Sequence, residues 1–159
     1  MTTLVRRAEE SEVSVIAAVH QEAFPRQLGS EDWVRATLAA YPRMLVYVMT
    51  LDCQVVGYVF WAQVSGIRRN AIIELDQVAV LSRLRGQGLG EKLITESLEL
   101  VKTQLAENSQ TIKALLVKTG SKNMAQSLYG RVLGVKVVAE IEGLFSMPEV
   151  IMVAQVADA

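Results

Sequence analysis

The chain predicts an α/β (α+β) fold, with a mixed, mostly antiparallel central sheet flanked by helices. Three observations point there. Three β-rich runs follow one another between Met44 and Leu81 with only short turns between them. The apolar period then switches to that of a helix at Leu89. Beyond that helix, strand-like and helix-like segments alternate, so the long helix has to cross over between parallel neighbours in a sheet otherwise joined by hairpins.

Taken in order, Leu4 to Arg6 reads as a short first strand. From Glu10, the apolar positions Val13, Ile16, Ala17 and Phe24 recur at helical spacing, and Pro25 and Gly29 end that helix. Ser30 resembles an N-cap, with Glu31 and Asp32 in the first turn where the helix dipole favours acids. Trp33 and Leu38 belong to this second helix, which stops before Pro42. Met44–Leu51 and Val55–Val64 are rich in β-formers around an Asp52-Cys53-Gln54 turn. After a second turn at Ser65–Asn70, Ala71–Leu81 makes the third strand of a meander.

Leu89, Leu93, Ser97, Val101 and Leu105 then follow at every fourth position, with Glu91, Lys92, Glu96, Glu99 and Lys102 on the wet face of a long amphipathic helix. Ile112–Val117 reads as a strand, Met124–Leu133 as a short helix, and Val135–Ile141 and Glu149–Val156 as the last two strands. One domain spanning 1–159 suits a chain of 159 residues, half of it apolar.

Composition narrows the function classes. Sixteen Lys plus Arg against seventeen Asp plus Glu leave a net charge of −1, which argues against a nucleic-acid partner. A single cysteine, Cys53, allows no intrachain disulfide and suggests a reducing compartment. Charged residues near the N-terminus (Arg6, Arg7, Glu9, Glu10) interrupt any signal-peptide pattern, and no apolar run approaches the ~20 residues of a membrane span. The expectation is a soluble cytoplasmic protein with no membrane partner. The apolar last strands would suit a homodimer.

The segment Val78-Ala79-Val80, followed by Arg85-Gly86-Gln87-Gly88-Leu89-Gly90, reads as a strand, a short loop and a helix start. Glycines at alternate positions clear β-carbons from the backbone. The first helical turn leaves N–H groups without intrahelical partners, at the positive end of the dipole. A diphosphate is a natural guest there, with Arg83 and Arg85 beside it. The glycine spacing differs from the dinucleotide fingerprint, and no Gly-Lys-Ser/Thr follows as in a nucleotide-triphosphatase loop. A glycine-rich connector without a ligand is the other reading. It leaves unexplained two glycines in a helix start, each costing up to ~1 kcal/mol relative to alanine.

These residues resemble the GCN5-related N-acetyltransferase (GNAT) superfamily. Its Arg/Gln-x-x-Gly-x-Gly/Ala motif is met by Arg85, Gly88 and Gly90. Val78-Ala79-Val80 is similar to the family's fourth strand, whose backbone amides receive the pantetheine and thioester carbonyl of the coenzyme. Ala125-Gln126-Ser127-Leu128-Tyr129 resembles the second coenzyme segment. Where the family often has Asn, three residues before that alanine, Lys122 stands here, with Asn123 one step later.

The resemblance implies an acetyl-CoA-dependent N-acetyltransferase that moves an acetyl group to a primary amine, on a small molecule, peptide or protein, by direct attack in a ternary complex. No metal is implied. Coenzyme contacts are expected from Val78, Ala79, Val80, Arg85, Gly86, Gln87, Gly88, Leu89, Gly90 and Asn123.

A lysine-like amine is almost fully protonated at neutral pH, so a base should help. Glu74 is the candidate, with Asp76 in reserve. Strict alternation along the strand would put Glu74 and Asp76 on one face with Val80 and turn Gln77 away. A solvent-facing carboxylate on a half-wet strand is the alternative for Glu74. The Val80 N–H is the expected oxyanion donor. Tyr129 resembles the family's general acid; otherwise it packs a helix on the sheet. His20 reads as a surface or rim residue, Trp33 and Trp61 as either pocket or packing residues, and Arg68-Arg69 as a solvated turn. Two other functions stay open: an acyl-CoA-binding or regulatory domain without turnover, and a toxin acetylating charged tRNA, against which the near-neutral charge argues.

Overall fold

The computed structural model of the chain describes residues 1–156. The last three residues of the expected 1–159 domain lie outside this range. Seven strands form one sheet in the order β1-β2-β3-β4-β5-β7-β6: β1 (Thr3–Arg7), β2 (Met44–Leu51), β3 (Gln54–Gln63), β4 (Asn70–Val80), β5 (Thr111–Gly120), β6 (Lys136–Ile141) and β7 (Glu149–Gln155). Only β4 and β5 are parallel neighbours. They are joined by the long helix α3 (Leu89–Glu107). The remaining helices are α1 (Val13–Ala23), α2 (Ser30–Ala39) and α4 (Ala125–Leu133). The mixed, mostly antiparallel sheet is therefore as the sequence predicts.

Helices cover both sheet faces. On one side Leu93, Ile94, Leu98, Val101 and Leu105 of α3, with Tyr129 and Leu133 of α4, pack on Val59, Trp61, Ile73, Leu75 and Val117. On the other, Val13, Ile16, Ala17 and Val19 of α1 and Val34 of α2 pack on Val46, Val48, Tyr58, Phe60 and Ala79. Trp61 belongs to the first core, fully buried, with its indole N–H donating to Ser97 Oγ at 2.9 Å. That bond accounts for a serine on the apolar stripe of α3. Gly57 lets α3 close on the sheet, because a β-carbon there would lie 2.9 Å from the Ala79 carbonyl and 3.3 Å from Leu93 Cδ2.

Two local expectations change. Gly29, at φ 68°, is the N-cap of α2, and Ser30 is its first helical residue. The Ser30 hydroxyl instead lies 2.8 Å from His20 Nδ1, while His20 Nε2 lies 3.0 Å from Gln27 Oε1. His20 is thus buried, not at the surface (1 % exposed), where its ring can satisfy both nitrogens within the protein. It sits four residues after Ile16, on the same buried helix face.

Candidate functional site

The site is built on a break in the sheet. Pairing between β4 and β5 runs from Asn70↔Thr111 to Leu75↔Val117 and stops. Beyond that point β4 continues against β3 as far as Val80↔Gly57, and β5 continues against β7 as far as Gly120↔Glu149. The two strands therefore form a fork, with residues 76–80 on one prong and 118–120 on the other. Its apex coincides with a β-bulge: Phe60 pairs with Gln77 and Trp61 with Leu75, leaving Asp76 as the extra residue.

The bulge resets the alternation of side chains. Before it, Ala71, Ile73 and Leu75 face α3; after it, Val80 and half-buried Val78 do, while Ala79 joins the α1–α2 core. Glu74 consequently lies on the α1–α2 face, opposite to Val80. Gln77 also lies on the α1–α2 face, where its Oε1 accepts the Tyr58 hydroxyl at 2.9 Å. The placement of Glu74 corrects the parity expected from the sequence, which counted β4 as a regular strand; Gln77 faces away from Val80 as expected, but shares its face with Glu74.

Backbone direction can be read the same way. The Leu81 N–H donates to the Val56 carbonyl across the β3 side. Because hydrogen-bonding groups alternate along an antiparallel strand, the N–H groups of Val80 and Val78 point away from β3, into the fork. The Val80 carbonyl, on the same side, accepts the Arg85 Nε–H at 3.1 Å. Arg85 thus braces the loop against the strand while its side chain stays exposed.

The loop after β4 leads into α3, whose N-cap is Gly88. Gly86 and Gly88 have φ of 77° and 78°, which explains glycine at both. Gly90 is different: it lies in the helix proper, and a β-carbon there would meet nothing within 4 Å. Among the described residues, none of the six N–H groups from Gly86 to Glu91 donates to a protein acceptor, and the first helical bond is Lys92 N–H to the Gly88 carbonyl. Consecutive unpaired amides at the positive end of a 19-residue helix make an anion cradle. Glu22, at the end of α1, accepts the Ser82 N–H at 2.6 Å, and that bond with the nearby Arg85 and Arg83 holds its carboxyl below the usual range.

Around the fork stand the titratable candidates. Glu74 is 6 % exposed, and its Oε1 lies 3.2 Å from Lys118 Nζ. Burial pushes its pKa up and Lys118 opposes the rise. Asp76 is open to solvent, yet the surrounding protein raises its carboxyl as well, as expected in the wall of a cleft. Tyr129 is buried on the α3–α4 face, and burial raises its pKa. No described residue hydrogen-bonds its hydroxyl, and no polar side-chain atom is sealed off unpaired, so the hydroxyl reaches open space. Glu74 and Tyr129 lie on opposite faces of the sheet, Glu74 next to the point where β4 and β5 part.

Asn123 has a structural task. Its Oδ1 accepts the Ala125 N–H at 2.9 Å and its Nδ2 donates to Thr119 Oγ1 at 2.8 Å, fixing the start of α4 against β5. Trp33 is half-exposed on α2, and Arg68 and Arg69 are exposed in the β3–β4 turn, at the end of β4 away from the fork. A separate hollow of about 330 Å³ lies between α2 and the β1–α1 corner, where the Arg7 guanidinium stacks 4.0 Å over Tyr41. Among the described residues there is no cluster of metal-ligating side chains, and no helix is long and apolar enough to cross a membrane. Lys118 is the residue that sequence reasoning missed. Its signal was strand parity from Val117, usable only once the neighbouring strand was known.

Comparison with known proteins places this geometry. The profile of the acetyltransferase (GNAT) domain matches residues 42–132. No curated protein matches the chain by sequence. Solved structures match its fold over nearly the whole length. Ribosomal-protein-alanine N-acetyltransferase from Brucella melitensis is 20 % identical, with 96 % of this chain and 99 % of that chain covered and a TM-score of 0.76. Ribosomal-protein-S18-alanine N-acetyltransferase from Escherichia coli is 16 % identical, with 99 % and 96 % covered and a TM-score of 0.77. The yncA protein of Salmonella typhimurium, solved with its cofactor acetyl-CoA, is 18 % identical, with 100 % and 96 % covered and a TM-score of 0.74.

Proposed function

Because the chain belongs to the GNAT acetyltransferase family, we propose that it transfers an acetyl group from acetyl-CoA to a primary amine in the cytoplasm, by direct attack in a ternary complex. The observation that carries this reading is the run of free amides from Gly86 to Glu91, on the loop that follows the fork-facing N–H groups of Val78 and Val80. Together they form a donor track long enough for a phosphorylated, extended ligand. The fit is supported by the open space above Gly86, Gly88 and Gly90 and by Arg85 at the loop's edge.

In this reading the amides from Gly86 to Glu91, with Gln87 and Leu89 as spacers, hold the coenzyme's pyrophosphate. The Val78 and Val80 N–H groups receive the pantetheine and the acyl carbonyl. Bound acetyl-CoA supplies the activated acyl group as a thioester. The Val80 N–H is fixed where negative charge develops on the carbonyl oxygen, a contribution of about 10²–10³ in rate when such a donor is preorganised.

Glu74 takes the proton that the acceptor's ammonium must lose, and its burial makes it a stronger base than an exposed carboxylate. Tyr129 gives a proton to the departing thiolate; its raised pKa keeps the phenol protonated at neutral pH. Asn123 serves by anchoring α4, which carries Tyr129.

The test is to measure acetyl-CoA binding by calorimetry and free thiol release with a panel of small amines, peptides and amino acids. Binding with acceptor-dependent thiol release is expected. Tight binding with no acceptor turned over would favour a coenzyme-sensing domain instead, and absence of binding would remove the reading altogether.

A further inference from the structure

We propose that Lys118 is a positioning residue for Glu74, its cation holding the carboxylate in place at the apex of the fork between β4 and β5. The inference rests on the reading of Glu74 as the base. Lys118 is the first β5 residue beyond Val117, the last one paired with β4. Past that point no backbone hydrogen bond joins the two strands. The contact between Lys118 Nζ and Glu74 Oε1, at 3.2 Å, therefore ties the first residue of the β5 prong back to the paired part of β4, just where the strands part. The two residues differ in access: the Lys118 side chain is about half-exposed, whereas that of Glu74 is 8 % exposed. The cation reaches in from solvent to a carboxylate that cannot leave.

The surroundings give the pair its consequence. The charged groups acting on Glu74 are Lys118 of β5, Asp76 of its own strand and Glu149 of β7. Two of these three are carboxylates, and burial also opposes ionisation. Lys118 alone favours the charged form. Without it, Glu74 would hold its proton to higher pH and would be a base in a smaller fraction of molecules. An opposite charge at this range lowers a carboxylate pKa by roughly one to three units.

Two measurements on Lys118→Met, with Lys118→Arg as the conservative control, decide the matter. The first is the carboxyl ¹³C titration of Glu74 by NMR, which needs no turnover. It should move upward by about one unit or more in Lys118→Met and stay near wild type in Lys118→Arg. The second is the pH profile of kcat/KM with any acceptor that releases thiol. Its acid limb should move up by the same amount in Lys118→Met, with about a fivefold loss at the wild-type midpoint for a one-unit shift, regained at higher pH. A Glu74 titration unmoved in Lys118→Met overturns the proposal whatever happens to activity. So does an equal loss of rate at every pH, the mark of a merely structural role. If the titration moves and the rate profile does not, the ion pair stands but Glu74 is not the base, and the failure lies in the functional reading on which the proposal rests.

Discussion

Glu74 and Val80 lie on opposite faces of β4, although they are six residues apart on one strand, because Asp76 is an extra residue between them. The same bulge marks the point where β5 leaves β4. A single inserted residue thus turns the carboxylate toward α1 and α2, leaves the Val80 amide facing the fork, and opens the gap through which the two sides meet.

Replacing Glu74 by Gln should lower kcat/KM by about 10²-fold or more while leaving acetyl-CoA affinity unchanged. Wild type should show an acid limb governed by a pKa above the ordinary glutamate value of 4.5, since burial is the dominant influence on Glu74. Stability should respond in the opposite sense. A carboxyl with a raised folded-state pKa binds its proton more tightly when folded, so stability declines as pH rises from the unfolded value through the folded one. At neutral pH the Gln variant should therefore melt no lower than wild type. A clear drop in Tm would mean that the Lys118 pair outweighs burial.

Gly90→Ala should separate stability from binding. The site is helical and nothing lies within 4 Å of the added methyl group, so α3 should gain about 0.5–1 kcal/mol. Alanine also satisfies the Gly/Ala position of the family's motif, so acetyl-CoA should bind the variant within about twofold of wild type. Calorimetry beside thermal melts checks both. Gly88→Ala should differ by losing stability, because φ is 78° there.

Tyr129→Phe keeps the buried ring and removes only the hydroxyl that reaches open space. Tm should change little and coenzyme affinity not at all. The rate of thiol release should fall by about 10²-fold, the low end of general acid catalysis. An unchanged rate would reduce Tyr129 to a packing residue.

Cys53→Gly tests the β2–β3 hairpin apart from the site. Asp52 and Cys53 link paired Leu51 and Gln54 with φ of 48° and 69°, both in the left-handed region that Asp-Gly turns prefer. The substitution should stabilise the protein by about 1 kcal/mol, read as a rise in Tm, with activity unaltered.

Most of the fold was legible because its elements announce themselves locally. The fourth-position stripe of α3, the Asp52-Cys53-Gln54 turn and the run of β-formers in β2 and β3 need no distant partner to be recognised. The anion cradle was legible for the same reason, since unpaired amides belong to any helix start and glycine spacing shows in the sequence. What failed depended on tertiary pairing. The bulge at Asp76 exists only in the register with Phe60 and Trp61, so parity counted along β4 put Glu74 on the face of Val80 instead of the face of Gln77. His20 looked like a polar residue at a rim until Ser30 and Gln27 supplied its partners. The bonds of Asn123 to Ala125 and Thr119 were likewise hidden, because they depend on how α4 meets β5.

The contact of Glu22 with the Ser82 N–H sets a carboxylate beside the loop proposed to hold the coenzyme. The arginines beside it, Arg83 and Arg85, already interact with a carboxylate of the same protein. A polyanion arriving there meets both arginines and that carboxylate together, so repulsion from Glu22 subtracts from its electrostatic gain. Selectivity among anions then comes from the number of amides each can engage along the cradle, which favours a diphosphate over a simple salt ion. The end of α1 is thereby a competitor for the loop as well as a neighbour of it.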